Sequence, residues 1–421
     1  MNNEKIENKV SGNAFDKIIG YEDIKAELLS ICDYLRYPEK YHKLGIWQRG
    51  VYLYGPEGFG KTEIARCLIA ESNRELFEIK KDMTDVQMER EFAKAKDRAP
   101  SIVLADDYDK LTSGSEITVI NGILANYKND VFVVIVAGKK YEKLINIAGI
   151  ETIIKVYKPK SADNIKLAMT YLQDNCFSDD VDKEEIARLI AGGGMEHTLG
   201  VKHKLEIIIS KAASYAFSKG KERIGRRDVL EAIVSFHQGL KFVSIPSNDA
   251  EMETVAVHEA GHIVAREFFY PGAVNYAYAG IIMGESAGCV YNICDTIKSV
   301  EYRRNRIVIS LASKAAVELV LGIAAVGLGS DLSNSFEMAS SIVDDNCANG
   351  FYSYGLEKAS QYLLAEKEKA IADEVARCYQ EAKMILAKNR DFLDAVILAL
   401  KLKNIITYKE IAEIRKKVGA A

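Results

Sequence analysis

The chain has no marked excess of either charge: 56 lysines and arginines stand against 60 aspartates and glutamates, for a net charge of −4. A balance that even sets up no strong field for nucleic acid, so that class of partner is set aside. The seven cysteines are scattered and form no CxxC pair. They make no disulfide framework and read as reduced thiols in a cytoplasmic protein. Residues 1–9 lack the apolar core of a signal peptide. Long hydrophobic runs are missing too. The longest apolar stretch, residues 307–329, is broken by Lys314 and Glu318, so it is expected as a buried helix rather than a membrane span. There is no tandem repeat and no low-complexity tract. These absences leave a soluble chain whose 421 residues suffice for two or three domains.

What is present falls into two patterns. Residues 1–13 are polar and expected to be disordered. From Phe15 helical and strand-like segments alternate: a helix over 23–35, an apolar run over 51–54, a helix over 63–71, then apolar runs over 102–105 and 131–137. Short runs rich in Val and Ile suit buried parallel strands, so residues 14–160 are expected as a three-layer α/β nucleotide-binding domain. Residues 161–240 read as helical only, 241–249 as a linker containing Pro246, and 250–421 as mainly helical. One exception is 273–292, rich in Gly, Tyr and Ile, which is expected as a hairpin.

The sequence Gly55-Pro-Glu-Gly58-Phe-Gly60-Lys61-Thr62 follows the first apolar run and opens a helix. That is the context of a P-loop. Backbone N–H groups and the helix N-terminus would hold phosphates, Lys61 would neutralise their oxygens, and Thr62 would ligate Mg2+. The run Ile102-Val-Leu-Ala-Asp106-Asp107 supplies the acidic strand end, with Asp106 assigned to the magnesium and Asp107 to orienting the attacking water. The alternative is a glycine turn beside solvated carboxylates, which the order and context of the two elements disfavour.

Histidine is scarce, six in all, yet His258-Glu259-Ala-Gly-His262 forms an HExxH pattern. On a helix the two histidines share a face and can bind one ion, and Glu259 can take a proton from a metal-activated water. A catalytic zinc site wants a third protein ligand, and no histidine follows His262. Two carboxylates are candidates: Asp331, at an expected helix start, and Glu318, within an apolar helix. Asp331 has the alternative of capping its helix, and Glu318 of pairing with a Lys or Arg or orienting a ligand from behind. His197, His203 and His237 are expected at the surface or in the helical stretch before 240, and His42 has no assigned role.

With both patterns in this order, the chain resembles the FtsH family of AAA+ zinc metalloproteases over nearly its whole length. The resemblance is carried by Ile19-Gly20-Tyr-Glu-Asp, by residues 34–45, by the loop at 55–62, Asp106-Asp107, the HExxH segment and residues 389–393 and 405–411. The helix expected over 374–386 matches loosely. The resemblance implies an AAA+ large domain, a helical lid over 161–240, and a mainly α-helical zinc metalloprotease domain over 250–421. It implies Zn2+, and ATP or ADP with Mg2+, as cofactors. It adds Ile19 and Gly20 to the nucleotide site, makes Asp331 the third zinc ligand with Glu318 in support, and implies a hexamer that degrades polypeptides.

The chain also departs from the family. Asp107 stands where a Glu is usual, Gly138-Lys139-Lys140 where a phosphate-sensing Asn is usual, and residues 148–155 contain no arginine to reach a neighbour's ATP. An arginine finger is worth about 10³–10⁵ in turnover. No aromatic-glycine pore loop occurs between Thr62 and Asp106, and the family's N-terminal membrane helices are missing. The expectation is therefore a zinc endopeptidase acting on unstructured or partly unfolded chains, which binds nucleotide but hydrolyses it slowly or not at all. The rivals are a nucleotide-gated scaffold that cuts nothing and a fully ATP-driven unfoldase-protease in which Lys139 or Arg223 fills the missing roles.

Overall fold

A computed structural model describes residues 13–80, 83–108, 131–140, 150, 152–172, 177–192, 200–239, 242–243, 250–282, 285–293, 299–323, 329–344 and 360–420. The chain divides into two compact units, residues 1–167 with 196–204, and residues 168–195 with 205–421.

The first unit is built on a five-stranded parallel sheet. Its strands are β1 (Gly50–Tyr54), β2 (Glu75–Ile79), β3 (Ser101–Ala105), β4 (Val131–Ala137) and β5 (Thr152–Lys155), in the order β2-β3-β4-β1-β5. Strands β3 and β4 are buried along their whole length, as continuous apolar runs require when both faces are covered. The strand period of two divides β1 between two cores. Val51 and Leu53 face a cluster with Leu28 and Ile31 of helix α1 (Glu22–Arg36) and with Ile64 and Leu68 of helix α3 (Lys61–Ser72). Tyr52 faces the other, with Met88 and Phe92 of helix α4 (Asp85–Asp97). Between α1 and α3 lies the short helix α2 (Pro38–His42). Thr84 starts α4 with a full capping box to Gln87, inside the segment that stands where a pore loop would be expected.

The second unit is mainly helical around one small sheet. Its central strand, β7 (Val274–Ile282), pairs along one edge with β8 (Glu285–Asn292), giving the expected hairpin. Along the other edge it pairs with β6 (Phe242–Val243) and β9 (Ile405–Thr407). Residues 242–243 were expected in a linker. The structure corrects this, because pairing with Ile281 and Ile282 satisfies backbone groups that a free linker would leave to water. The remaining linker residues, 241 and 244–249, lie outside the described residues, as do residues 1–12.

The expected helical lid is divided between the units, with residues 196–204 clustering in the first and 205–240 in the second. Helices α5 (Ser161–Leu172), α6 (Lys183–Ala191), α7 (Val201–Ser218) and α8 (Arg226–Gln238) form it. Within the second unit, Arg226 of α8 grips Glu185 of α6 through Nε and a terminal nitrogen at 3.0 and 2.9 Å, and also reaches Thr407 beside β9. Glu185 is 3% exposed, so removing either partner of this pair would cost about 3–5 kcal/mol.

Helix α9 (Ala250–Phe269), which carries the HExxH segment, crosses helix α10 (Val300–Leu321) closely enough that glycine is required at 261. A Cβ there would lie 2.4 Å from the Ala312 carbonyl oxygen. The core continues through helices α11 (Gly329–Asp344), α12 (Gln361–Lys388), α13 (Arg390–Lys403) and α14 (Tyr408–Val418). Among the described residues no helix is long and apolar enough to cross a membrane. Helix α10, from the longest apolar stretch, packs into this core through Ile307, Val308 and Leu311.

Candidate nucleotide and metal sites

In the first unit, the glycine loop leaves the carboxyl end of β1 and enters α3. Gly55, Gly58 and Gly60 all take positive φ (153°, 78° and 80°). Gly55 also admits no side chain, because a Cβ would fall 2.1 Å from the Val156 carbonyl oxygen. Lys61 is buried and donates to the Pro56 carbonyl at 2.8 Å, which folds its ammonium back over the loop. Thr62 Oγ1 donates to Asp106 Oδ1 at 3.1 Å, bringing the two expected magnesium-side groups together. Asp106 Oδ1 also accepts the Asp107 N–H at 2.9 Å. Asp107 is exposed and left-handed, with φ 52°.

Ile19 and Gly20 form a corner tied to the loop by the next residue, since Tyr21 donates its hydroxyl to the carbonyls of Phe59 (2.9 Å) and Tyr157 (3.1 Å). Gly200, at the start of α7, packs directly on the loop; a Cβ there would lie 2.2 Å from the Gly58 oxygen. One turn further on, Lys204 is 6% exposed, and burial together with nearby Lys158 draws its ammonium below the usual lysine range. The sequence pattern did not single out Lys204, because a lysine in an amphipathic helix is ordinarily solvated. Gly138, Lys139 and Lys140 are exposed at the end of β4.

In the second unit, the candidate metal-site residues come from two helices. His258 and His262 lie on successive turns of α9, with ring centroids 4.9 Å apart. Asp331, in the first turn of α11, places Oδ2 3.3 Å from His258 Nε2 and 3.2 Å from His262 Nε2. These ligand atoms lie within 4.8 Å of one another, and they form the one such cluster among the described residues.

The donor set suits zinc: two imidazole nitrogens and a carboxylate oxygen, with room for a fourth ligand. The surroundings support the same geometry. His262 Nδ1 bonds the Ile309 carbonyl of α10 at 2.8 Å, which directs Nε2 toward Asp331. Ser313 Oγ donates to Asp331 Oδ2 at 3.0 Å, and Ser310 Oγ donates to the Asp331 carbonyl at 3.2 Å. Burial alone would lower His262, but the hydrogen bond to Asp331 and the charges of Glu259 and Asp331 push it up to about 9. Burial would raise Asp331, yet the bonds from both histidines hold it well below the usual carboxylate range.

Glu259 is 5% exposed, with Oε1 4.0 Å from His258 Nε2. Burial raises its pKa against the opposing pull of His262 and His258. Strand β8 passes directly over it. A Cβ on Gly288 would sit 2.6 Å from Glu259 Oε1, so only glycine leaves the carboxylate its place.

Glu318 takes the ion-pairing alternative and not the supporting role at the metal site. Lys314 engages one of its oxygens, and Tyr379 and Lys383 (3.0 Å) engage the other, so it belongs to an ion-paired cluster between α10 and α12. The groups behind the metal site are instead Ile309, Ser310 and Ser313, which no spacing rule singles out. Among the other histidines, His203 is exposed, His237 bonds the Tyr276 hydroxyl, and His42 stacks on Trp47. His197 lies outside the described residues. Arg223 pairs with Asp179 at 3.4 Å.

A P-loop α/β unit joined in one chain to a helical unit with an HExxH helix defines an AAA+ protein bearing a metallohydrolase-type site. Residues 51–151 match the family of ATPases associated with various cellular activities. The chain is 25% identical to the "ATP-dependent zinc metalloprotease FtsH" of Thermobaculum terrenum, covering 95% of this chain and 68% of that protein. It is 27% identical to an "ATP-dependent zinc metalloprotease FtsH 2" of Phytoplasma mali, over 95% of this chain and 62% of that one. A relative of the same name from Thermoanaerobacter sp. is 25% identical, over 94% and 82%. The AAA match and these relatives, about a quarter identical over nearly the whole chain, support an FtsH-type AAA+ family member, and the chain spans about two thirds of the length of the first two of these relatives.

Proposed function

We propose that this protein is a zinc-dependent endopeptidase joined to a divergent AAA+ module, and that it degrades unstructured or partly unfolded polypeptides. The observation that carries the reading is the convergence of His258, His262 and Asp331 within 4.8 Å, with Glu259 buried alongside. A bound zinc ion would supply Lewis acidity toward the scissile carbonyl and the attacking water.

The chain's own groups do the rest. Glu259, raised by burial, takes a proton from the attacking water and returns it to the departing amine nitrogen. Among the described residues β8 is paired only on its β7 side, so its outer edge offers backbone groups to an extended peptide beside Glu259. Ser313 and the Ile309 carbonyl hold two of the ligands in orientation.

In the first unit, Lys61, Thr62 and Asp106, with Gly55, Gly58 and Gly60, bind ATP or ADP with Mg2+, and Ile19 and Gly20 border the nucleotide. Hydrolysis is slow because Asp107 is one methylene short and the family's arginines and Asn have no equivalents. The working form is a homo-oligomer, hexameric by likeness to the family, in the cytoplasm.

The test is cleavage of an unstructured polypeptide by zinc-loaded protein, with and without ATP, beside Glu259→Gln. Cleavage that needs zinc and disappears in the variant is the expected result. No cleavage under any condition would favour a nucleotide-gated scaffold. Cleavage only with ATP, with ATP turnover stimulated by substrate, would favour a fully ATP-driven unfoldase-protease.

A further inference from the structure

A cavity lies in the first unit, away from the P-loop. It has a volume of about 230 Å³ and is lined by Tyr34, His42, Gln48, Arg74, Pro100 and Phe132, among others. It sits at the amino ends of the strands, where Ser101 pairs with Glu75 and Val131, whereas the P-loop follows the carboxyl end of β1. No residue of the proposed nucleotide site lines it.

Its charge is one-sided. The Arg74 side chain donates one bond, from a terminal nitrogen to the Leu35 carbonyl at 2.8 Å, and among the described residues no carboxylate pairs with it. Among the described residues no aspartate or glutamate lines the cavity. Burial draws the guanidinium below the usual arginine range. A half-buried cation without a counter-ion is costly, and an anion drawn from solution removes that cost.

Gln48 also lines the cavity; its buried side-chain oxygen has no hydrogen-bond partner among the described residues and, being an acceptor, is open to a donor hydrogen rather than to the anion. His42 shares a hydrogen bond with the Tyr34 hydroxyl at 3.2 Å. The remaining wall is apolar, from Pro38, Ala99, Pro100, Val131 and Phe132. A bare inorganic anion would leave that wall wet. The volume exceeds the ~150 Å³ of a cavity that takes up benzene, so a single ring with one charged substituent fits.

We propose that this cavity binds a small organic monocarboxylate, with its carboxylate on Arg74 and its apolar body against Pro100 and Phe132. The inference is independent of the peptidase reading. It assigns the first unit a ligand site separate from its phosphate loop.

The chain carries its own reporter. Trp47 is its only tryptophan and stacks on His42 at 3.6 Å, with rings 18° from parallel. The experiment is a titration of Trp47 fluorescence in the full-length protein, using benzoate as the probe, and benzamide and inorganic phosphate as comparators. The expected result is a saturable change with benzoate, a response to benzamide at least roughly tenfold weaker, and none to phosphate. Excess ATP with Mg2+ should not displace benzoate, and Arg74→Met should abolish the response. Absence of saturable binding to the wild-type protein would overturn the proposal, as would equal responses to benzoate and benzamide. Equal binding of phosphate, or displacement by ATP, would also overturn it. The wild-type titrations decide the matter even if Arg74→Met fails to fold.

Discussion

The nucleotide loop and the metal centre are assembled in opposite ways. The loop's proposed binding groups, Gly55 to Thr62, are contiguous, and only Asp106 is brought in from another strand. The metal centre draws on α9 and α11, and α10 holds both through Ile309, Ser310 and Ser313. A contiguous loop can keep its binding groups while partners elsewhere in the fold change. Here Asp107 and the residues after β4 differ from the family while Lys61 and Thr62 remain. A centre assembled from separate helices depends on its packing, as the forced glycines at 261 and 288 show.

The sharpest way to break this comparison is Glu259→Gln. It should reduce peptide cleavage by about 10²–10⁴ while leaving zinc content intact, as read by peptide kinetics beside metal analysis. Parallel loss of zinc would assign Glu259 a binding role instead. In the other unit, Asp107→Glu should raise ATP turnover if the missing methylene limits it, by up to about a hundredfold. An unchanged rate would move the limitation to the absent arginines.

Ser313→Ala tests the support behind the metal site. It should weaken zinc affinity by about 10–100-fold in a competition titration, with little change in the fold by circular dichroism.

The smallest effect is expected at Glu318. Its bonds to Lys314 and Tyr379 pull its pKa from 4.5 down to about 2. The stabilisation is therefore full above pH 4.5 and is lost as pH falls toward 2. The group is partly exposed, so Glu318→Gln should cost about 1 kcal/mol or less at pH 7, and only a small part of that at pH 2, in denaturant titrations at the two pH values. A constant difference at both pH values would show that packing, not charge, is what the substitution removes.

Much of the first sheet could be read from sequence because buried parallel strands are continuous apolar runs; β4 was expected at its observed limits, Val131–Ala137. Strand β2 was missed because Glu75 and Glu78 interrupt its run on a half-exposed edge. The strand states of β6 and β9 could not be read, because two or three apolar residues carry no period and only pairing with β7 makes them strands. Glu318 misled for a related reason. It shares a helix with Ser310 and Ser313, but at about 100° per residue it lies roughly 140° round from Ser313, on the face that meets α12.

By itself the sequence determined the local chemistry. The P-loop glycines need only their own backbone freedom, and two histidines one turn apart share a face by helix geometry alone. Tertiary structure decided which distant carboxylate joins those histidines, which serines hold it, and that Arg74 lines a cavity where no carboxylate among the described residues pairs with it. Those outcomes depend on how helices and strands far apart in the chain pack, and local spacing carries no record of that packing.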